Sequence, residues 1–298
     1  MRFRANIEDV ATFYKISQAV EKLQKRCTVK FTESEMHIIC NNDAGEGSIQ
    51  VWSQIQVPSL FTEYRIQSNA DNEIYLGVAT DALAAALKSA AAPSGQQGAF
   101  SGDAEVIVRL VKRTEVAMLS FEINASTRLG RPVRIAHDVR VDILKREDVS
   151  RLKQPMCPEP EVHIILPPLA KVRAVAERLR PLAGEMIGMY ANREGCFQLR
   201  AQTDAASVVV SWHGLSNPRM AHDPSTQRAD EDDERDPKVL YGVLVNVKSL
   251  QKFLNSHVVS TTTIACICQN HCIILYVYMG EIADAGGVLT FYIPAIIE

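Results

Sequence analysis

Val162-His163-Ile164-Ile165-Leu166-Pro167-Pro168-Leu169-Ala170-Lys171-Val172-Arg173-Ala174-Val175-Ala176-Glu177-Arg178-Leu179-Arg180-Pro181-Leu182-Ala183-Gly184 reads as a strand followed by a helix. The apolar run Val162 to Leu166 has the length and branching of a buried strand. Pro167 and Pro168 can start a helix, because proline presets φ and its missing N–H would have no partner in the first turn. Leu169, Val172, Val175, Ala176, Leu179, Leu182 and Ala183 then recur at intervals of three and four, one apolar stripe closed by Gly184. Pro181 is placed to kink the helix or end it early. The chain has opened this way once before: residues 2–7 (Arg-Phe-Arg-Ala-Asn-Ile) read as a strand, and Asp9 to Arg26 as an amphipathic helix.

Size supports a duplication. The 298 residues make two domains of about 150 each. Apolar content of 47% is ample for two cores, and a net charge of −3 gives no whole-molecule sign of a nucleic-acid partner. Seven cysteines, at 27, 40, 157, 196, 266, 268 and 272, are odd in number and scattered. With Arg2, Arg4 and Glu8 in place of an apolar leader, they predict reduced thiols inside the cell. No apolar run approaches the roughly 20 residues of a membrane helix.

Outward from the opening strand and helix, Cys27 to Thr32 and Met36 to Asn41 form a hairpin, and Ser48 to Gln56 alternates as a half-buried strand. Glu73 to Ala79 is the next strand, and Thr80 can cap a helix over Asp81 to Ala92. After a Gly/Ser/Gln-rich loop, Pro93 to Gly102, come strands Glu105 to Lys112, Val116 to Ile123 and Pro132 to Ile143. Lys145 to Pro160 is charged, aperiodic and holds three prolines, which sets a linker between a first domain, 1–144, and a second, 161–298. In the second domain, Met186 to Asn192, Cys196 to Gln202 and Ser207 to His213 are strands. The insertion 215–237 holds the run Asp230-Glu231-Asp232-Asp233-Glu234, a composition expected to stay disordered. Val239 to Asn246, a helix Val247 to His257, and strands Thr261 to Cys268, Cys272 to Met279 and Val288 to Pro294 complete the chain. Each half thus reads strand, helix, three strands, strand, helix, three strands.

Basic charge concentrates on the four predicted helices, 9–26, 81–92, 168–184 and 247–257. They carry Lys15, Lys22, Lys25, Arg26, Lys88, Lys171, Arg173, Arg178, Arg180, Lys248 and Lys252 against Asp9, Glu21, Asp81 and Glu177. Their net charge is about +7, so the remainder is about −10. At about 100° per residue, Val10, Phe13, Ile16, Val20 and Leu23 fill one arc of the first helix, with Lys15, Lys22, Lys25 and Arg26 opposite. Lys248 and Lys252 likewise oppose Leu250, Phe253 and Leu254. Solvated helices are often lysine-rich. The sharper reading makes these helices one surface facing a phosphate backbone, held by counterion release without sequence readout.

These residues resemble a known family. The opening Met-Arg-Phe-Arg-Ala-Asn-Ile, Lys22-Leu23-Gln24-Lys25-Arg26-Cys27-Thr28, Asn72-Glu73-Ile74-Tyr75-Leu76, Ala86-Leu87-Lys88-Ser89-Ala90, Pro158-Glu159-Pro160-Glu161-Val162 with Ile165-Leu166-Pro167, and Phe291-Tyr292-Ile293-Pro294-Ala295 together resemble a eukaryotic DNA sliding clamp subunit. The nearest likeness is to the Hus-type subunit of the heterotrimeric nine-one-one checkpoint clamp. The resemblance implies an α+β sliding-clamp fold, two similar domains each with two helices packed on antiparallel sheets. It implies a nuclear, non-catalytic ring subunit around double-stranded DNA, with basic helices inside. Its partners would be two paralogous Rad-type subunits, an ATP-dependent checkpoint clamp loader and repair enzymes, with no membrane. It further implies subunit contacts through edge strands, Pro132 to Ile143 (Val133, Ile135, Val139, Val141) and Ser207 to His213 (Val208, Val210, Trp212). Lys145 to Pro160 is similar to the connector beside which clamps dock partner peptides.

Two rivals remain. A homotrimeric replication clamp of the PCNA type shares fold and lining, but such clamps are usually shorter and lack the acidic insertion. An enzyme would need a site. Cys266, Cys268, His271 and Cys272 lie close in sequence, yet Gln269-Asn270-His271 reads as a hairpin turn and Cys266 and Cys268 as core residues on one strand face, so no metal or cofactor is expected. Asp230 to Glu234 cannot fix an octahedral Mg²⁺ from a floppy loop. No phosphate-binding glycine loop is present.

Overall fold

The computed structural model describes residues 1–41, 48–91, 100–127, 131–204, 206–218, 236–280, 282 and 285–296. The loop 93–99, most of the insertion 215–237 and its carboxylate run lie outside these residues. The chain forms two compact units, one chiefly Met1–Asn41 and Val51–Gln154, the other chiefly Pro155–Ile282 and Thr290–Glu298.

The first unit runs β1 (Arg2–Ile7), α1 (Val10–Glu21), β2 (Arg26–Phe31), β3 (Glu35–Cys40), β4 (Gln50–Gln56), α2 (Val57–Leu60), β5 (Phe61–Gln67), β6 (Ile74–Ala79), α3 (Thr80–Ala91), β7 (Phe100–Arg113), β8 (Val116–Thr127) and β9 (Pro132–Ile143). Its strands are ordered β4-β3-β2-β6-β9-β8-β7-β1-β5, and neighbours pair antiparallel. Strand alternation supplies the core: Phe3, Ala5 and Ile7 of β1 are buried, as are Val29 and Phe31 of β2. The Phe3 and Phe31 rings meet at 4.3 Å, and the Phe13 ring of α1 meets Phe61 edge-on at 5.7 Å. A short helical turn, α4 (Arg146–Val149), interrupts the expected linker.

The second unit runs β10 (Val162–Ile165), α5 (Leu169–Ala183), β11 (Met186–Ala191), β12 (Phe197–Gln202), β13 (Ser207–Trp212), β14 (Tyr241–Asn246), α6 (Val247–Leu254), β15 (Thr262–Cys268), β16 (Cys272–Met279) and β17 (Gly287–Pro294). One group of strands is ordered β10-β15-β16-β17, the other β13-β12-β11-β14. The element order is the one read from sequence, apart from a 3-10 turn, Asn255–Val258, where the last part of the helix 247–257 was expected. Pro181 does not end α5: so near the C-terminus it removes one backbone bond, and the helix continues to Ala183.

Three expectations are corrected. First, α1 stops at Glu21, so Lys22, Lys25 and Arg26 are not helical. The N–H groups of Leu23 and Gln24 both bond to the Val20 carbonyl, which tightens the last turn. The Gln24 carbonyl then accepts from Thr80 Oγ1 at 2.7 Å and the Lys25 carbonyl from Thr80 N at 3.1 Å. This anchors the reversal into β2 and uses the Thr80 hydroxyl as a tether instead of a cap. Second, the first unit holds an extra piece, α2 and β5, with β5 paired to β1. Third, Pro132–Ile143 is not an edge strand along its whole length. β8 pairs it from Pro132 to Arg140, while β6 takes Val141, Asp142 and Ile143 on the other side. Val139 and Val141 are buried in the unit's own core, and Val141 faces Val78.

Candidate nucleic-acid interface and sheet edges

Each long helix buries an apolar face; α5 and α6 expose clustered basic residues, whereas α1 and α3 expose one basic residue each, Lys15 and Lys88. Asp9 caps α1 by accepting from Thr12 N at 2.8 Å, and Phe13, Ile16, Ala19 and Val20 are buried. That rotation leaves Lys15 exposed, and Lys22, Lys25 and Arg26 remain exposed in the turn and strand that follow. Lys88 is the exposed base of α3, whose Leu83, Ala84, Leu87 and Ala90 are buried. In the second unit, Asn246 caps α6 through Lys248 N at 2.9 Å, and Lys248 and Lys252 stand opposite buried Leu250, Phe253 and Leu254. On α5, Lys171, Arg178 and Arg180 are exposed, while Leu169, Val172, Ala176 and Leu179 are buried.

Two members of the set are not free charges. Arg26 forms an ion pair with Asp142 of β9. Arg173 is half-buried; its Nε donates to Glu177 Oε1 at 2.9 Å. Its Nη1 lies 3.4 and 3.5 Å from the two ring nitrogens of His257, so the guanidinium rests against the ring instead of on one lone pair. A cleft of about 270 Å³ opens between α5 and α6, with Arg173, Arg180, Gln251 and Asn255 around a floor of Ala176 and Leu254. Gln251 and Asn255 escape a reading based on charge alone. Their only sequence signal is the polar arc of the predicted helix 247–257.

The edges have a distinct geometry. Among the described residues, β13 pairs only with β12, and β9 from Pro132 to Arg140 pairs only with β8. Val133 and Ile135 of β9 and Val208, Val210 and Trp212 of β13 are half-buried, and the Trp212 ring stacks on Phe197 at 5.5 Å. The apolar rows are thus partly covered by their own sheets, with backbone groups left on one side.

Apart from Cys157, which is half-buried, the cysteines are buried. Burial pushes the Cys266 thiol up to about 12, and Cys27 likewise up to about 12 against the opposing charge of Arg26. Cys157 of the linker joins the β15–β16 hairpin: burial and a hydrogen bond with Cys272 push it up to about 12. Cys268 Sγ donates to the Pro158 carbonyl at 3.3 Å. The thiols of Cys27, Cys157 and Cys266 stay protonated at neutral pH and are poor nucleophiles. Among the described residues, no group of three His, Cys, Asp or Glu side chains is arranged to hold a metal ion.

Against known proteins, the family model described as "Hus1-like protein" matches residues 1–297. The chain belongs to the Hus1-like family. This Hus1-like chain is 32% identical over 302 residues to "Checkpoint protein hus1" of Schizosaccharomyces pombe, covering 100% of both. It is 25% identical over 301 residues to "Checkpoint protein HUS1" of Homo sapiens, covering 99% of this chain and 100% of the relative. Among solved structures, it resembles the crystal structure of Proliferating Cellular Nuclear Antigen from Entamoeba histolytica. The TM-score is 0.71 at 14% identity, over 99% of each chain. The fold of the Hus1-like chain is therefore the α+β fold of a sliding clamp.

Proposed function

We propose that this chain is a non-catalytic subunit of a heterotrimeric, DNA-encircling checkpoint clamp that acts in the nucleus. The observation that carries the reading is the end-to-end match with Hus1 checkpoint proteins. The geometry supports it at two points. The helices of the second unit, and in the first unit the helices together with the turn after α1, expose basic residues, as a surface following duplex DNA without sequence specificity requires. The open edges of β9 and β13 differ from one another, which suits a ring of head-to-tail contacts.

In this reading the chain is 1–144 and 161–298 as two clamp domains, joined by 145–160 as the connector. Lys15, Lys22, Lys25, Lys88, Lys171, Arg178, Arg180, Lys248 and Lys252 face the DNA, with Arg26 and Arg173 as partly neutralised members. Val133 and Ile135 contact one neighbour, and Val208, Val210 and Trp212 the other. The neighbours are two paralogous clamp subunits, a checkpoint clamp loader closes the ring on recessed ends, and repair enzymes dock afterwards. No cofactor enters.

A homotrimeric replication clamp is the second reading, favoured by the structural likeness to Proliferating Cellular Nuclear Antigen. Light scattering of the purified chain, alone and with the two paralogues, separates the two. A monomer that joins a 1:1:1 complex is the expected result. A stable trimer of the chain alone moves the assignment to the replication type.

A further inference from the structure

The solvent face of β5, β1 and β7 in the first unit carries arginines that the helices do not account for. Arg4 of β1 lies directly opposite Arg65 of β5 on one side and Arg109 of β7 on the other. Directly paired residues on neighbouring strands project to the same face. Phe3, Ala5 and Ile7 fill the core from β1, so Arg2 and Arg4 point to solvent, and Arg65 is exposed as well.

Arg109 has an internal counter-charge in Glu122, which also holds Arg134 at 2.6 Å. Among the described residues, Arg2, Arg4 and Arg65 have no carboxylate at ion-pair distance. Like charges directly opposite in a sheet are unfavourable. Arg4 meets an arginine on both sides, and Arg2 extends the cluster along the strand. Glu122 offsets Arg109, but among the described residues no carboxylate at ion-pair distance relieves the Arg4–Arg65 pair on this exposed face.

We propose that this row is a docking surface for an acidic protein segment, an extended stretch rich in Asp and Glu that runs across β5, β1 and β7. Neighbouring strands lie about 4.8 Å apart, so the row spans about 10 Å. Side chains on one side of an extended peptide recur at about 6.8 Å, within reach of long arginine arms. The guanidinium groups of Arg4 and Arg65, which lack a carboxylate partner among the described residues, each pair with one carboxylate of the segment in a two-pronged contact. A phosphoserine would need several guanidinium groups converging on one point, whereas these stand in line. A duplex backbone curves away from a flat row this short.

The test is fluorescence polarisation of the full chain with a short labelled peptide alternating Glu and Ser, its Gln analogue, a single-phosphoserine peptide and a short DNA duplex. The wild-type chain is expected to bind the Glu peptide and not the Gln analogue. Combined Arg2→Ala, Arg4→Ala and Arg65→Ala substitution should weaken that binding on the order of tenfold, with duplex binding unchanged. Lys171→Ala with Arg178→Ala on α5 should leave peptide binding intact. Because the arginine substitutions remove repulsion, the variant's Tm should equal or exceed the wild type. Failure of the wild-type chain to take the Glu peptide overturns the proposal. So does an equal loss in the α5 variant, a drop in Tm, or a selective loss of the phosphopeptide or duplex.

Discussion

Glu73 and Glu35 show how single side chains tie the first unit to pH. Burial pushes the Glu73 carboxyl up, but hydrogen bonds from Lys30, at 2.7 Å, and from the Tyr75 hydroxyl outweigh it and hold it below the usual range. At Glu35 the hydrogen bond from Gln54 dominates over burial, with Gln56 and His37 adding to it. A carboxyl lowered in the folded state contributes stability that is present above the unfolded value, about 4.3 for Glu, and is lost as the pH falls through the folded value. The Glu35→Gln/Glu73→Gln variant should be less stable at pH 7 by under about 1 kcal/mol, and the gap should close in acid. Urea midpoints at neutral and acid pH check this; parallel curves would count against it. Arg26 makes a second residue-scale case. Its ion pair with Asp142 leaves little net charge for DNA. In the assembled ring, Arg26→Ala with Asp142→Ala should leave DNA retention unchanged, whereas Lys22→Ala with Lys25→Ala should lower it and flatten its salt dependence. Helical phase accounts for the exposure of Lys15, but Lys22, Lys25 and Arg26 lie beyond the end of α1, and a pair separated by 116 positions leaves no local signal.

Elements were legible where one face is strongly apolar and obscured where neighbours decide. The second unit's elements follow their periodicity, whereas α2 and β5 leave no clear pattern. Pro58 hides the helical turn, and β5 exposes Thr62, Glu63, Arg65 and Gln67, leaving only a weak alternation of half-buried Tyr64 and Ile66. The end of α1 is obscured for the opposite reason: Leu23 continues the apolar stripe and is buried, but as part of the turn tethered by Thr80. The β14–β11–β12 face holds a packing device no periodicity reveals. Tyr190 faces Gly242 across β11–β14, and a Cβ on Gly242 would come within 2.0 Å of its ring, one on Gly188 within 2.5 Å. Arg200 covers the other side, its guanidinium 4.1 Å from the ring centre and fixed by Gln198. Gly242→Ala should cost about 1–3 kcal/mol in urea unfolding. Adding Tyr190→Ala should recover part of that loss; strictly additive losses would show that the ring does not rest on the glycine. Gly184, at φ +56° and ψ −121°, occupies a conformation open to glycine and costly for alanine, so Gly184→Ala should destabilise by about 1–3 kcal/mol.

For the whole molecule, the duplicated order was the strongest sequence signal, because it repeats at every element of the second unit and departs in the first only by the α2–β5 addition. Charge carries the functional prediction at this scale. Phosphate contacts add through counterion release, each contributing a slope near −0.9 in log K against log salt for duplex DNA. Lys15→Glu, Lys22→Glu and Lys25→Glu combined should therefore reduce DNA retention by the assembled ring far more than any single Lys→Ala change. An unaltered salt slope in that triple variant would remove these residues from the DNA-facing surface. The two open edges carry a genetic consequence. On the proposed assembly, a proline at Val209 would remove a backbone donor from β13 and leave β9 untouched. Such a chain would still capture one neighbour and then hold the complex open. Expressed beside the normal copy, it would titrate partners into incomplete arcs, so damage to one edge would be inherited as a dominant defect and damage to both as a recessive one.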